Sequence, residues 1–181
     1  MENNSRRTFF GKVAALAAAT ATSSRLFAQQ PAAARVPDVT GSHGNHVHNG
    51  IYYFSGTGSN DGYSKEDHVT VTDPFEKHVT RALDALKKSL ERVGSSMDNI
   101  LNMQVFICLP SADGVPALTG KARFDAYTEH YKALNKIYGT YFSPGKAPSR
   151  AFMAVDWIPG DSLVEFVGSA LVVNPPSTSS K

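Results

Sequence analysis

Two charged residues near the C-terminus stand where charge is least expected. Arg150 interrupts A-P-S-R-A-F-M-A-V, and Glu165 interrupts L-V-E-F-V-G-S-A-L-V-V, runs that are otherwise apolar and β-forming. A charge in such a run is costly unless it is paired or has a ligand to meet. Arginine offers a planar, permanently charged donor fork that grips a carboxylate by two bonds. A half-buried carboxylate holds its proton to higher pH, and can take a proton from water and give it back. On the residues alone a second reading stays open: the two pair with each other as a buried salt bridge.

His43, His46 and His48 fall within six residues, and His46 and His48 share one face of any strand they form. Imidazoles at that spacing can bind zinc or copper. No acidic or cysteine ligand lies close by in sequence, so no metal is expected there. The single cysteine, Cys108, lies in L-N-M-Q-V-F-I-C-L and reads as core filler. It excludes an intrachain disulfide and any cysteine-rich metal site.

The elements that must position these residues follow from pattern. A chain of 181 residues, 41% apolar and 19% charged, suits one soluble domain, and a net charge of +2 gives no basic footprint for nucleic acid. Residues 1–34 read as a leader and linker, because S-R-R-T-F-F-G-K resembles the twin-arginine export motif. The alanine-rich run after it is too short and too mildly apolar to span a bilayer. Cleavage could follow Ala21, Ala28 or Ala34. The Ala/Pro-rich segment to Thr40 reads as linker, residues 35–174 as the domain, and 175–181 as a polar tail.

Within the domain, Asn49-Gly50 predicts a tight hairpin between a histidine strand and I-Y-Y-F-S-G. A helix is predicted from Pro74 to Val93, N-capped by Asp73, with Glu76 completing a capping box and Gly94 ending it. Phe75, Val79, Leu83, Leu86, Leu90 and Val93 form its apolar stripe, and Lys77, Arg81, Lys87, Lys88 and Glu91 a solvated face. A central strand follows at Ile100–Leu109. A second helix runs from about Lys121 to Phe142, with Phe124, Tyr127, Tyr131, Leu134, Tyr138 and Tyr141 as its core face. Ala147–Val173 closes the chain as a hairpin turning at Pro159-Gly160-Asp161. The order β-β-α-β-α-β-β makes an α+β fold, a mixed sheet with both helices on one face. The other face then needs a cover that so small a chain lacks, which points to an oligomer.

At this point the sequence resembles the RidA (YjgF) family of imine and enamine deaminases. The resemblance runs from about Gly50 to Val173. It rests on Ser55-Gly56, A-L-D-A-L-K-K-S-L-E-R-V-G-S-S-M-D-N-I, N-M-Q-V-F-I, L-N-K-I-Y-G-T-Y-F, A-P-S-R-A-F-M-A-V-D-W-I-P and L-V-E-F-V-G-S-A. It implies a chorismate mutase-like homotrimer with a central barrel and a cleft at each subunit interface. It also implies Arg150 and Glu165 as the catalytic pair, with Ser55, Asn135 and Tyr138 orienting substrate or water. Three departures bear on the pocket. The family's early tyrosine is absent, and Ser42-His43-Gly44 stands there instead, so His43 is a candidate cleft residue. The position two beyond the arginine holds the bulky Phe152. An insertion lengthens the segment between Phe106 and Asn135.

The implied reaction is hydrolysis of a 2-imino acid or its enamine to a 2-keto acid and ammonia, with no metal or organic cofactor. The expected partners are a small imino or keto acid and two further copies of the chain, with no nucleic acid and no membrane in the mature form. The leader implies a periplasmic or secreted location. A trimer that only binds small carboxylates in the same clefts is the competing expectation. An endoribonuclease, an activity attributed to some relatives, is disfavoured by the modest charge and the expected export.

Overall fold

A computed structural model of the chain describes residues 39–40, 44–109 and 117–174. The leader, His43 and the polar tail lie outside the described residues, as does the 110–116 part of the insertion. The described elements fall in the unit Val36–Lys181. They are β1 (Val39–Thr40), β2 (His46–His48), β3 (Ile51–Gly58), α1 (Phe75–Arg92), β4 (Ile100–Cys108), α2 (Gly120–Tyr138), β5 (Ser149–Val155) and β6 (Val164–Leu171). No described helix is long and apolar enough to cross a membrane.

Six strands form one sheet in the order β1-β2-β3-β6-β4-β5. Only β4 and β5 run parallel; the other neighbours are antiparallel. The Asn49-Gly50 turn forms as its composition demands, with φ of 51° and 76°, and joins β2 to β3. The two-residue β1 falls in the stretch read from sequence as linker; Val39 and Thr40 are too few to show a periodicity.

The larger correction concerns the C-terminal strands. β5 and β6 are not a hairpin: β4 lies between them, parallel to β5 and antiparallel to β6. The turn at Gly160 and Asp161 exists, both at positive φ, but the segment carries the chain past the end of β4. The Cys108 amide donates to Leu163 O there at 3.0 Å. β4 takes the central place because its alternate residues Met103, Val105 and Ile107 are all buried, and a central strand satisfies both of its edges.

α1 buries Phe75, Val79, Ala82, Leu83, Leu86 and Leu90 against Phe54, Val105 and Phe166 of the sheet. Its C-terminus closes as a Schellman motif: Ser95 N donates to Leu90 O, Gly94 N donates to Glu91 O, and Gly94 has φ +76°. Its N-terminus differs from expectation. Pro74 is the cap position and no side chain caps it. The Asp73 carboxylate instead accepts from Thr70 N (2.9 Å) and Lys77 Nζ (2.7 Å), which holds it down to about 2. The polar face is not wholly solvated either. Arg81 Nε donates to Ser59 O at 3.0 Å, and its guanidinium stacks 3.5 Å over Tyr63.

α2 ends at Tyr138, followed by a 3-10 turn, Gly139–Tyr141. Only Leu134 and Tyr138 of its predicted core face are buried; Phe124 is 66% and Tyr131 40% exposed. The stripe is real, but it faces β5, the outermost strand, so there is sheet beneath it on one side only. Opposite the helices the sheet exposes Tyr53, Met153 and Leu171.

Gly168, on β6, tests this packing. A Cβ there would lie 2.3 Å from Asn102 O and 2.8 Å from Phe54 Cζ. The first contact is backbone held in the β4–β6 ladder and cannot yield cheaply. Gly168→Ala is expected to cost about 3 kcal/mol in urea unfolding; an unchanged midpoint would refute the crowding.

Candidate functional site

The side chains of interest gather at two places. The first lies between β5 and α2. In register, Met103 faces Arg150 and Val105 faces Phe152, and both β4 partners are buried on the helix side. Alternation therefore sends Arg150 and Phe152 toward α2. There Tyr131, Asn135 and Tyr138, spaced four and three apart, share one helix face. Arg150 Nη2 donates to Asn135 Oδ1. The guanidinium carbon lies 4.2 Å from the centre of the Tyr138 ring and 5.9 Å from that of Tyr131. Arg150 Nη1 and Tyr138 Oη are buried with no hydrogen-bond partner among the described residues. An orphaned polar atom of this kind costs about 1–3 kcal/mol. A ligand carboxylate on the free arm of the fork removes that penalty.

In the aromatic wall around this cation, Tyr138 and Phe152 are residues the resemblance implies, whereas Tyr127 and Tyr131 are not legible as a site. Phe152 meets the edges of Tyr127 and Tyr131 with ring centres 5.3 and 5.0 Å apart, and Tyr127 Oη donates to Phe152 O at 3.3 Å. Tyr131 is held below the ordinary phenol range, chiefly by a hydrogen bond from Asn135 and then by Arg150. Burial pushes Tyr138 up, against the pull of Arg150. Helical spacing alone assigns Tyr127 and Tyr131 to the core. The available signal was that Tyr131 lies four residues before Asn135.

The second place is built around Glu165. It pairs with Phe106 on one side and Gly58 on the other. Phe106 is three residues beyond Met103 along an unbroken β4 register, so Glu165 faces away from Arg150, across the sheet. The salt bridge between them that the sequence left open cannot form within one chain. β3 bulges opposite: its pairing jumps from Phe54 to Thr57, leaving Ser55-Gly56 as the extra turn of strand. Gly56 has φ +69°, and a Cβ on it would lie 3.2 Å from the Glu165 carboxyl. The bulge is a seat for that carboxylate. Ser55 N donates to Asn45 Oδ1 at 2.7 Å, which ties the seat to the residue before β2. Burial, then the Asp61 charge, raises Glu165 above the usual carboxylate range.

A cavity of ≈ 370 Å³ opens on the helix side of the bulge, between Asn45, Thr57, Asp61, Lys88 and Arg92. Neither Arg150 nor Glu165 lines it, but Gly56, Asn45 and Asp61 do, so it adjoins the Glu165 half through the back of the bulge. His46 and His48 do share a face: His46 stacks on Tyr53 at 5.0 Å, and His48 Nε2 accepts from Asn49 Nδ2 at 2.9 Å. Among the described residues no three of His, Cys, Asp and Glu stand close enough to hold a metal ion. Cys108 is a core residue whose thiol burial pushes up.

No known protein-family profile matches the chain. Solved structures do. A Yersinia pestis protein of unknown function from the conserved Rid protein family aligns at 23% identity over 76% of this chain and 94% of its own, with TM-score 0.55. A Neisseria meningitidis member of the YjgF protein family aligns at 15% identity over 72% and 86%, with TM-score 0.50. A Thermotoga maritima protein described as a candidate endoribonuclease aligns at 20% over 76% and 91%, with TM-score 0.55. The likeness establishes the fold: this mixed sheet with two helices is the one seen in YjgF and Rid structures.

The raised Glu165 has a measurable consequence. The folded chain holds that proton to higher pH than the unfolded one, so the associated stability is present below about pH 4 and is lost as pH rises through the folded value. Glu165→Gln escapes the loss. Its urea midpoint is expected to gain on the wild type between about pH 4 and pH 7; a pH-independent difference would contradict the desolvated setting.

Proposed function

We propose that this chain is a RidA-type deaminase: an exported homotrimer that hydrolyses 2-imino acids and their enamine tautomers to 2-keto acids and ammonia. The observation that carries the reading is the Arg150 guanidinium, fixed by Asn135 and Tyr138, with one arm buried and unpartnered. A planar cation in that state is a receptor for a small carboxylate.

Binding the carboxylate there fixes the neighbouring C=N carbon in space, and such fixing supplies several kcal/mol of the barrier reduction, about 7 kcal/mol where alignment is good. The proton-transfer group is Glu165, and within one chain it lies across the sheet. A complete site therefore takes Arg150 from one copy and Glu165 from another. The exposed Tyr53, Met153 and Leu171 on the Glu165 face supply apolar surface for that association. Glu165, raised by burial, takes a proton as water adds to the imine carbon and passes it to the nitrogen, leaving a neutral aminoalcohol that then releases ammonia. Ser55, beside the Gly56 seat, orients the water, and Phe152 narrows the space next to the carboxylate.

The test is loss of 2-iminopropanoate, generated in place by an amino-acid oxidase. Arg150→Ala is expected to fall to the rate of buffer. Glu165→Gln is expected to lose roughly 10²-fold in kcat. Mixing the two inactive variants before refolding is expected to restore roughly a quarter of the sites, each needing an intact arginine from one subunit and an intact glutamate from its neighbour. No recovery would mean the site is not shared. A wild type that binds 2-oxobutanoate through Arg150 but releases no ammonia would favour the carboxylate-binding alternative. For export, residues 1–34 fused to a folded reporter are expected to reach the periplasm, and Arg6→Lys with Arg7→Lys to retain it in the cytoplasm.

A further inference from the structure

The Arg150 half-site contains more polar groups than carboxylate binding uses. Tyr127 Oη is committed to Phe152 O. The Tyr138 hydroxyl is buried like Arg150 Nη1, on a residue that is 5% exposed. Asn135 Oδ1 is taken by Arg150. Among the described residues of this half-site the Tyr131 hydroxyl is the most exposed candidate to meet a ligand: the residue is 40% exposed and borders both Asn135 and Arg150.

We infer that Tyr131 is a further catalytic residue, the proton donor to the nitrogen that leaves from a substrate held on Arg150. The inference rests on the proposed hydrolysis and adds a residue to it. Three features carry it. Tyr131 and Asn135 are one helical turn apart, and with Asn135 Oδ1 accepting from Arg150 the amide's N–H is free to donate to the phenol oxygen. The ring is held edge-on by Phe152 and stacked near Tyr127 at 6.5 Å between centres, so its hydroxyl has a fixed direction. The guanidinium carbon lies 5.9 Å from the centre of the Tyr131 ring, so a small acid held on Arg150 lies beside that residue. Among the described residues the groups facing the phenol are Arg150 from β5 and Tyr127 and Asn135 from α2, and no carboxylate acts on it. Its acidity is raised by a hydrogen bond and a cation, both of which favour the phenolate.

The step balances. After water has added, the Tyr131 proton passes to the amine nitrogen and the C–N bond breaks with its electron pair on nitrogen. Ammonia leaves, the oxygen lone pair closes the C=O bond, and the hydroxyl proton returns to the phenolate.

Two measurements decide it. In an ultraviolet titration of phenolate absorbance, the wild type is expected to show a tyrosine ionising ahead of the others that is missing in Tyr131→Phe. Adding 2-oxobutanoate is expected to move that ionisation to higher pH, because the ligand carboxylate neutralises Arg150. A keto acid that binds through Arg150 and leaves the titration unchanged overturns the inference, whether or not the protein is a hydrolase. In kinetics, Tyr131→Phe is expected to lose roughly 10²-fold in kcat, to keep KM within about 3-fold, and to lose the wild type's alkaline limb. Wild-type kcat in that variant overturns the inference and leaves the hydrolase reading standing. A wild type that neither binds 2-oxobutanoate nor consumes the imine overturns both.

Discussion

Successive side chains of a strand point to opposite faces, and this constraint organises the whole site. β4 carries β5 on one edge and β6 on the other, and both registers run unbroken from Asn102 onward. Arg150 lies beside Met103 and Glu165 beside Phe106, an odd number of residues apart. One charge therefore goes to the helix layer and the other to the bare face. Separation keeps the two from neutralising each other within one chain.

On the helix side the fold tolerates a cation with no counter-ion. Among the described residues the ion pairs are Lys77–Asp73, Lys121–Asp125, Arg123–Asp156 and Lys132–Glu129, none of which involves Arg150. The guanidinium is instead met by one amide oxygen and two aromatic rings. Guanidinium is weakly hydrated and stacks on aromatic faces, so this setting costs less than burying an ammonium would. What is left over is a buried N–H arm with no hydrogen-bond partner among the described residues. On the other side, Glu165 sits over a glycine at positive φ in a bulge, because only a residue without Cβ leaves room for the carboxylate.

Much of this was legible in the chain itself. The Asn49-Gly50 turn, the amphipathic α1 with its Gly94 terminus and the buried β4 follow from local chemistry that any context would respect. Arg150, Asn135 and Tyr138 do come together, and Glu165 does meet the Ser55-Gly56 strand end. The misreadings have a common cause. Local pattern has the Pro159-Gly160-Asp161 turn join neighbours, the Tyr131 stripe face core and Arg81 face water, and the fold does none of these. Each judgement needed to know what lies next to an element, and a local pattern does not carry that.

Sequence alone determined which segments become strands and helices, and which two charges would be costly unless used, since propensity and desolvation act residue by residue. Tertiary structure alone decided that β4 separates β5 from β6, so that the two charges part to opposite faces, and that Tyr131 stands open beside Arg150. Strand order and edge position come from competition among distant segments for the same hydrogen-bonding edges. No stretch of chain records the outcome of that competition by itself.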